Sequence, residues 1–129
     1  MKSIKTIKEK CYDCSICELV CSEAHTGAYR PMVSRIKAPS STTDAKGPLT
    51  CRQCKKPQCV KVCPTGALSI KEWIYFDETL CNRCGNCVEA CPFDAIWQVE
   101  EKILKCDLCG GSPKCTGACP GEALICHSY

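Results

Sequence analysis

The sequence is short of nearly everything from which a core or a catalytic site is usually built. It has two phenylalanines, two tryptophans and four tyrosines in 129 residues, and only two histidines and two methionines. No apolar run approaches the ~20 residues that span a bilayer. The basic start, residues 1–10, has no apolar stretch behind it, so neither membrane insertion nor a secretory leader is expected. A Gly-rich phosphate loop is also missing, since Gly110 and Gly111 stand alone; this argues against flavin, NAD or nucleotide binding. His25 and His127 are isolated in sequence and read as surface or packing residues rather than as ligands or bases. Basic residues are not interleaved with aromatics, so nucleic acid is not an expected partner. The hydrophobic fraction of 45% rests on 17 cysteines. With those set aside, roughly 41 apolar residues remain, about 32% of the chain, which is thin for a self-sufficient core.

What the chain has instead is cysteine, in four tight groups. The third shows the pattern most plainly: Cys81, Cys84, Cys87 and Cys91 with Pro92 behind them, spaced C-x2-C-x2-C-x3-C-P. The first is Cys11, Cys14, Cys17 and Cys21, with the same spacing but Ser22 in place of proline. The second, Cys51, Cys54, Cys59 and Cys63, is spaced x2-x4-x3 and followed by Pro64. The fourth, Cys106, Cys109, Cys115 and Cys119, is spaced x2-x5-x3 and followed by Pro120. Cys63, Cys91 and Cys119 lie 28 residues apart, and each opens a Cys-Pro-x-x-Ala-(Leu/Ile) repeat. Cys21 lies 42 residues before Cys63, so the cysteine-free stretch at residues 22–50 is an insertion of about 14 beyond that period. With Pro31, Pro39, Pro48 and a polar run at residues 40–44, it reads as a connecting loop with one short strand at residues 32–36. Residues 69–77 and 97–104 read as hairpins.

Disulfides do not suit this pattern: the cysteine count is odd, and the residues fall in groups of four rather than at scattered positions. Zinc suits it little better. A structural zinc site uses two C-x2-C pairs separated by a dozen or more residues, all aimed at one tetrahedron. A run with cysteine at every third position, closed by x3-C-P, is the bacterial ferredoxin pattern for a [4Fe–4S] cluster, in which the fourth cysteine serves a neighbouring cluster. Sixteen cysteines in four sets of four imply four [4Fe–4S] clusters. All-cysteine ligation leaves no open iron for substrate, so the chain is expected to be no enzyme in its own right. The seventeenth cysteine, Cys126, reads as a small buried apolar residue.

From Cys11 to about Leu124 the four groups, in this order, resemble the polyferredoxin group of electron-transfer subunits. Those proteins accompany molybdenum and tungsten enzymes, formate-linked hydrogenases and carbon monoxide dehydrogenases. The resemblance implies an α+β fold of two interleaved bacterial-ferredoxin-like units, with short helices and short antiparallel β-hairpins around four clusters, in one domain over residues 1–129. It also implies that the first group pairs with the fourth and the second with the third. One cluster would then use Cys11, Cys14, Cys17 and Cys119, and its neighbour Cys106, Cys109, Cys115 and Cys21. Another would use Cys51, Cys54, Cys59 and Cys91, and the last Cys81, Cys84, Cys87 and Cys63. The short spacer between Cys109 and Cys115 is most similar to the small iron–sulfur subunits of tungsten enzymes of the aldehyde ferredoxin oxidoreductase family. The implied partners are a large tungsten- or molybdenum-containing catalytic subunit and a second electron donor or acceptor, a ferredoxin or a flavin/NAD subunit. The alternatives are a hydrogenase or carbon monoxide dehydrogenase subunit, a freely diffusing polyferredoxin, an iron–sulfur redox sensor and a zinc-binding module. A cytoplasmic location follows from the oxygen sensitivity of such clusters, and repeated units with clusters at both ends would allow self-stacking into a longer conductor.

Charge fits the same reading. The formal +3 counts every cysteine as neutral. A cubane in its 2+ form on four thiolates carries about −2, so four add about −8 and bring the total to about −5. Lys55, Lys56, Lys61, Arg83 and Lys114, in or beside the cysteine groups, are the sequence's candidates for charges that raise cluster potential. The cluster reading predicts about 16 iron and about 16 acid-labile sulfide per chain. A colourless protein carrying zinc would overturn it.

Overall fold

Each cysteine group folds into the same succession: a tight turn, a short helix, and in three cases a strand. The computed structural model describes residues 2–39 and 48–128; the polar run at residues 40–44 of the insertion lies outside them. Along the chain come β1 (Lys2–Thr6), α1 (Ile16–Thr26), β2 (Ile36–Lys37), β3 (Leu49–Thr50), α2 (Gln58–Val62), β4 (Leu68–Ile70) and β5 (Ile74–Phe76). Then follow α3 (Asn86–Ala90), β6 (Trp97–Val99), β7 (Lys102–Leu104), α4 (Lys114–Ala118) and β8 (Leu124–Ser128). The strands pair antiparallel two by two, as β1–β8, β2–β3, β4–β5 and β6–β7. The hairpins expected at residues 69–77 and 97–104 are β4–β5 and β6–β7. The architecture is small, α+β and ferredoxin-like.

The helices are short for a sequence reason. Proline forces the residue before it out of the helical region. Accordingly Cys63, Cys91 and Cys119 cap α2, α3 and α4 in extended conformation, with φ/ψ of −77/113, −69/114 and −69/116. Group one has Ser22 at that position, and α1 runs on for another turn. It stops at Gly27, whose φ of 77 is the left-handed C-cap conformation and whose N–H donates to Glu23 O at 2.8 Å. The insertion therefore does not begin as a loop at residue 22, because residues 22–26 are helix. Its expected strand is also displaced. Pro31–Val33 is a 3-10 turn, and the extended segment is Ile36–Lys37 with Ile36 opposite Thr50. A proline at the first position of the turn favours that choice.

Two layers of contact tie the chain end to end. β1 pairs β8 over five residues, Lys2 opposite Ser128 through Thr6 opposite Leu124, and α1 packs on α4. Inside this closure α2 packs on α3. The apolar core does not divide along the same line, because Cys51 of the second group packs with residues of the first and fourth. One cluster gathers Ile4, Ile36, Trp73, Leu108 and Leu124 together with Cys17, Cys21, Cys51, Cys106 and Cys115. Another gathers Leu68, Ile74, Ile96 and Ile103 with Cys59 and Cys87. Cysteines thus sit where larger apolar side chains would be in a protein of ordinary composition. Cys126, on β8 opposite Ile4, is half-buried rather than buried.

A single glycine locks the first group against the fourth. A Cβ on Gly121 would run into the Lys10 carbonyl oxygen and meet the Tyr12 ring at 3.1 Å. The equivalent repeat positions carry Thr65 and exposed Phe93. Among the described glycines, Gly121 alone has another segment's backbone this close. Gly121→Ala should therefore force the Lys10 and Gly121 backbones apart and cost about 1–3 kcal/mol of stability. Thermal melts of the loaded protein followed by visible absorbance check this; an unchanged melting temperature would contradict the close approach.

Candidate metal centres

The four groups present their sulfurs through one repeated piece of backbone. In each C-x2-C turn the residue before the second cysteine is left-handed: Asp13 at φ 56, Gln53 at 49, Arg83 at 61 and Leu108 at 55. Left-handed backbone is unfavourable for residues with a side chain, by about 1–2 kcal/mol each. What it achieves is the direction of the N–H. Asp13 N donates to Cys11 Sγ at 3.4 Å, Gln53 N to Cys51 Sγ at 3.4 Å, Arg83 N to Cys81 Sγ at 3.3 Å and Leu108 N to Cys106 Sγ at 3.4 Å. Such N–H···S contacts favour a charged sulfur. A second left-handed residue follows the second cysteine in three groups: Ser15 at φ 64, Gly85 at 78 and Gly110 at 76. Ser15 and Gly85 are the N-caps that turn the chain into α1 and α3, and the second residue of the helix is the third cysteine in all four groups.

The fourth cysteine is served by the repeat. Ala95 N donates to Cys91 Sγ at 3.4 Å and Ala123 N to Cys119 Sγ at 3.3 Å, and the Ala67 N–H bonds Cys63 in the same way. The turn is closed by a left-handed Gly66, Asp94 or Glu122 immediately before the alanine. The alanines themselves are 2%, 0% and 0% exposed, which leaves room for no larger side chain. Cys21, without proline or alanine behind it, finds other donors: Arg35 N at 3.2 Å and, one helical turn on, His25 Nδ1 at 3.7 Å.

Sulfurs from different groups meet. Cys11, Cys14, Cys17 and Cys119 line one recess together with Tyr12, Ala38 and Leu124. Burial pushes the Cys115 thiol up, and the charges of Cys106, Cys21, Cys109 and Cys17 add to it, so sulfurs of the first and fourth groups share a neighbourhood. Burial raises Cys54, and takes Cys59 to about 11, with Cys51 and Cys91 reinforcing both. Cys87 is raised by burial and then by Cys81 and Cys63. Cys84 is exposed at its turn. Burial likewise takes Cys17 and Cys106 to about 12. Crowded thiols that resist ionising one by one are suited to a multivalent cation that holds them all as thiolates. The donor set is soft, sulfur only and closed, which suits iron–sulfur clusters.

Around Cys21 the structure places residues that sequence reasoning missed. His25 is not isolated: its Nε2 lies 2.9 Å from Asp107 Oδ1, and its Nδ1 lies 2.8 Å from the Cys21 carbonyl oxygen. Arg35 Nη1 sits 3.3 Å from Asp107 Oδ2. The Asp107 hydrogen bond is the main cause that raises His25, to about 10. Burial alone would raise Asp107, but His25 and Arg35 outweigh it and hold the carboxyl near 2. Burial also works against the Cys21 thiolate, and the His25, Arg35 and Ser34 hydrogen bonds outweigh that and lower it. The signal available in sequence was the four-residue spacing from Cys21 to His25, which puts both on one helix face once α1 is known to continue. His127, on β8, lies 3.0 Å from Ser3 Oγ.

The 4Fe–4S binding domain family matches residues 48–66 and 74–97, which hold the second and third cysteine groups entire. The chain carries multiple [4Fe–4S] clusters. It is 40% identical over 80 residues to the polyferredoxin-like subunit of an aliphatic sulfonate oxidoreductase from Pyrococcus furiosus, a match over 60% of this chain and 46% of that one. It is 33% identical over 75 residues to hydrogenase-4 component A of Escherichia coli, over 57% of this chain and 36% of the relative. The chain thus spans about half or less of the length of these curated relatives. A solved structure, the active-site complex BamBC of benzoyl coenzyme A reductase with benzoyl-CoA, shares the fold. Its TM-score is 0.54 at 24% identity, covering 98% of this chain and 79% of that one. Among the described residues no helix is long and apolar enough to cross a membrane.

Proposed function

We propose that the chain is the non-catalytic electron-transfer subunit of an oxidoreductase complex, holding four [4Fe–4S] clusters in series. The observation that carries the reading is that Cys119 of the fourth group lines one recess with Cys11, Cys14 and Cys17 of the first. On that pattern Cys119 is assigned to Cys11, Cys14 and Cys17, Cys21 to Cys106, Cys109 and Cys115, Cys91 to Cys51, Cys54 and Cys59, and Cys63 to Cys81 and Cys87. These are the ligand sets proposed here, with Cys84 completing the last. The interleaving of two ferredoxin-like units is supported by the same packing, α1 on α4 and α2 on α3.

Each bound cluster supplies a one-electron site that needs no substrate contact. The protein supplies spacing, N–H donors and charge. A chain of this length has a radius of gyration of about 14 Å, so four clusters within it are close neighbours. The partner is a large tungsten- or molybdenum-containing subunit of aldehyde oxidoreductase type, with a ferredoxin or flavin/NAD protein at the far end. The compact fourth group supports the tungsten choice, and the relatives named as oxidoreductase and hydrogenase subunits support a complex. Tyr12, 71% exposed at the mouth of the first recess, offers an apolar ring for docking.

A tagged chain purified anaerobically from its native cells should bring down a large protein containing tungsten or molybdenum. Recovery of the loaded chain alone would favour a diffusing polyferredoxin instead. The pairing has its own test. Cys91→Ser should damage the cluster of the second group, through Cys51, Cys54 and Cys59, more than that of the third. Comparing its cluster spectrum with that of Cys87→Ser decides the point, because identical losses in the two variants would mean that Cys91 serves its own group.

A further inference from the structure

The charges that the sequence sets beside the cysteine groups all prove to be exposed: Lys55, Lys56, Lys61, Arg83 and Lys114. The buried one is Lys105, 1% exposed, at the end of β7 and directly before Cys106. Its ammonium reaches three acceptors: the Ile74 carbonyl at 2.8 Å, the Cys106 carbonyl at 2.8 Å and Gln53 Oε1 at 3.1 Å. Three acceptors for three N–H groups is the full demand of an ammonium ion. Gln53, 0% exposed in the turn between Cys51 and Cys54, holds this arrangement in place. Its Oε1 also accepts from Ile74 N at 2.9 Å, and its Nε2 donates to the Cys106 carbonyl at 2.9 Å. The network therefore bridges the second and fourth groups.

What the network lacks is an anion. All three acceptors are neutral, and among the described residues no carboxylate lies within ion-pair distance of Lys105. Asp107 is engaged with His25 and Arg35 instead. A buried charge without a counter-charge is strongly unfavourable. The Cys106 carbonyl and the Gln53 amide that hold the ammonium belong to the fourth and second groups, so the thiolates of those groups are placed to balance it.

We infer that Lys105 is a fixed internal cation, sealed between the second and fourth groups, that raises the reduction potential of the two clusters built on Cys51, Cys54, Cys59, Cys91 and on Cys106, Cys109, Cys115, Cys21. The inference rests on the four-cluster reading above. Reduction adds one electron and one negative charge to a cluster, and the electron comes from a low-potential one-electron donor. Lys105 stabilises the added charge where the second and fourth groups meet, so that electrons collect there rather than at the other two clusters.

The test is a potentiometric titration of the loaded protein followed by electron paramagnetic resonance, on the natural sequence, Lys105→Met and Lys105→Arg. Iron and sulfide are counted first. Fewer than about 16 iron in the natural protein counts against the four-cluster reading itself. With four clusters present, Lys105→Met should move two couples to lower potential. The shift should be at least a tenfold fall in the reduced-to-oxidised ratio, about 59 mV for one electron. The other two couples should move less, and Lys105→Arg should restore the natural values. A full complement of clusters with every couple unmoved in Lys105→Met overturns the role of Lys105 and leaves the wire intact. If Lys105→Met does not assemble, Gln53→Glu decides, because it sets a carboxylate beside the same ammonium and should lower the same two couples. Unmoved couples in that variant overturn the inference equally.

Discussion

The structure depends on the x3 spacing between the third and fourth cysteine of every group. In each case the third is the second residue of a helix and the fourth lies four residues on, one turn away and about 6 Å along the axis. Two thiols so placed share a helix face, yet they stand beside different loops. A group can close around a metal centre with its first three cysteines while its fourth is offered to whatever packs against the helix end. That makes helix pairing and sulfur pairing one event: α1 with α4 puts Cys119 into the Cys11 recess, and α2 with α3 puts Cys91 near Cys51 and Cys59. The Gly121 crossing under Lys10 and the β1–β8 pairing are further consequences of the same closure.

Most of this was legible because it is local. The groups, the 28-residue repeat and the two hairpins follow from spacing, from proline and from alternation. The structure adds the reason the repeat reads Cys-Pro-x-x-Ala: proline stops the helix at the ligand, the next-but-one residue turns left-handed, and a buried alanine carries its N–H back to the sulfur. The errors came where that rule lapses. Ser22 in place of proline lets α1 continue through residues read as loop, and the continuation is what brings His25 over Cys21 toward Asp107.

Lys105 and Gln53 were illegible for a different reason. Lysine at the end of a strand ordinarily points to water, and glutamine in a polar turn does the same. Their burial is decided by segments far away in sequence: Ile74 from β5, the turn before Cys54, and the backbone of Cys106. No window of sequence contains those three together. The same holds for Asp107, whose partners His25 and Arg35 come from α1 and the segment just before β2.

Charge position then matters more than charge count. Seventeen basic residues against fourteen acidic ones suggest a mildly cationic chain, while a cluster-loaded chain would be anionic. Exposed lysines near a cluster act through water and salt, over a screening length of about 8 Å at physiological ionic strength. A cation inside the protein escapes most of that screening. It also cannot be neutralised by movement, because its three acceptors are backbone carbonyls and one fixed amide. Cys21 of the first group has His25 and Arg35 about it instead. On the proposed reading, the clusters beside Lys105 differ electrostatically from the other two, and chemically identical clusters acquire different potentials from the protein around them.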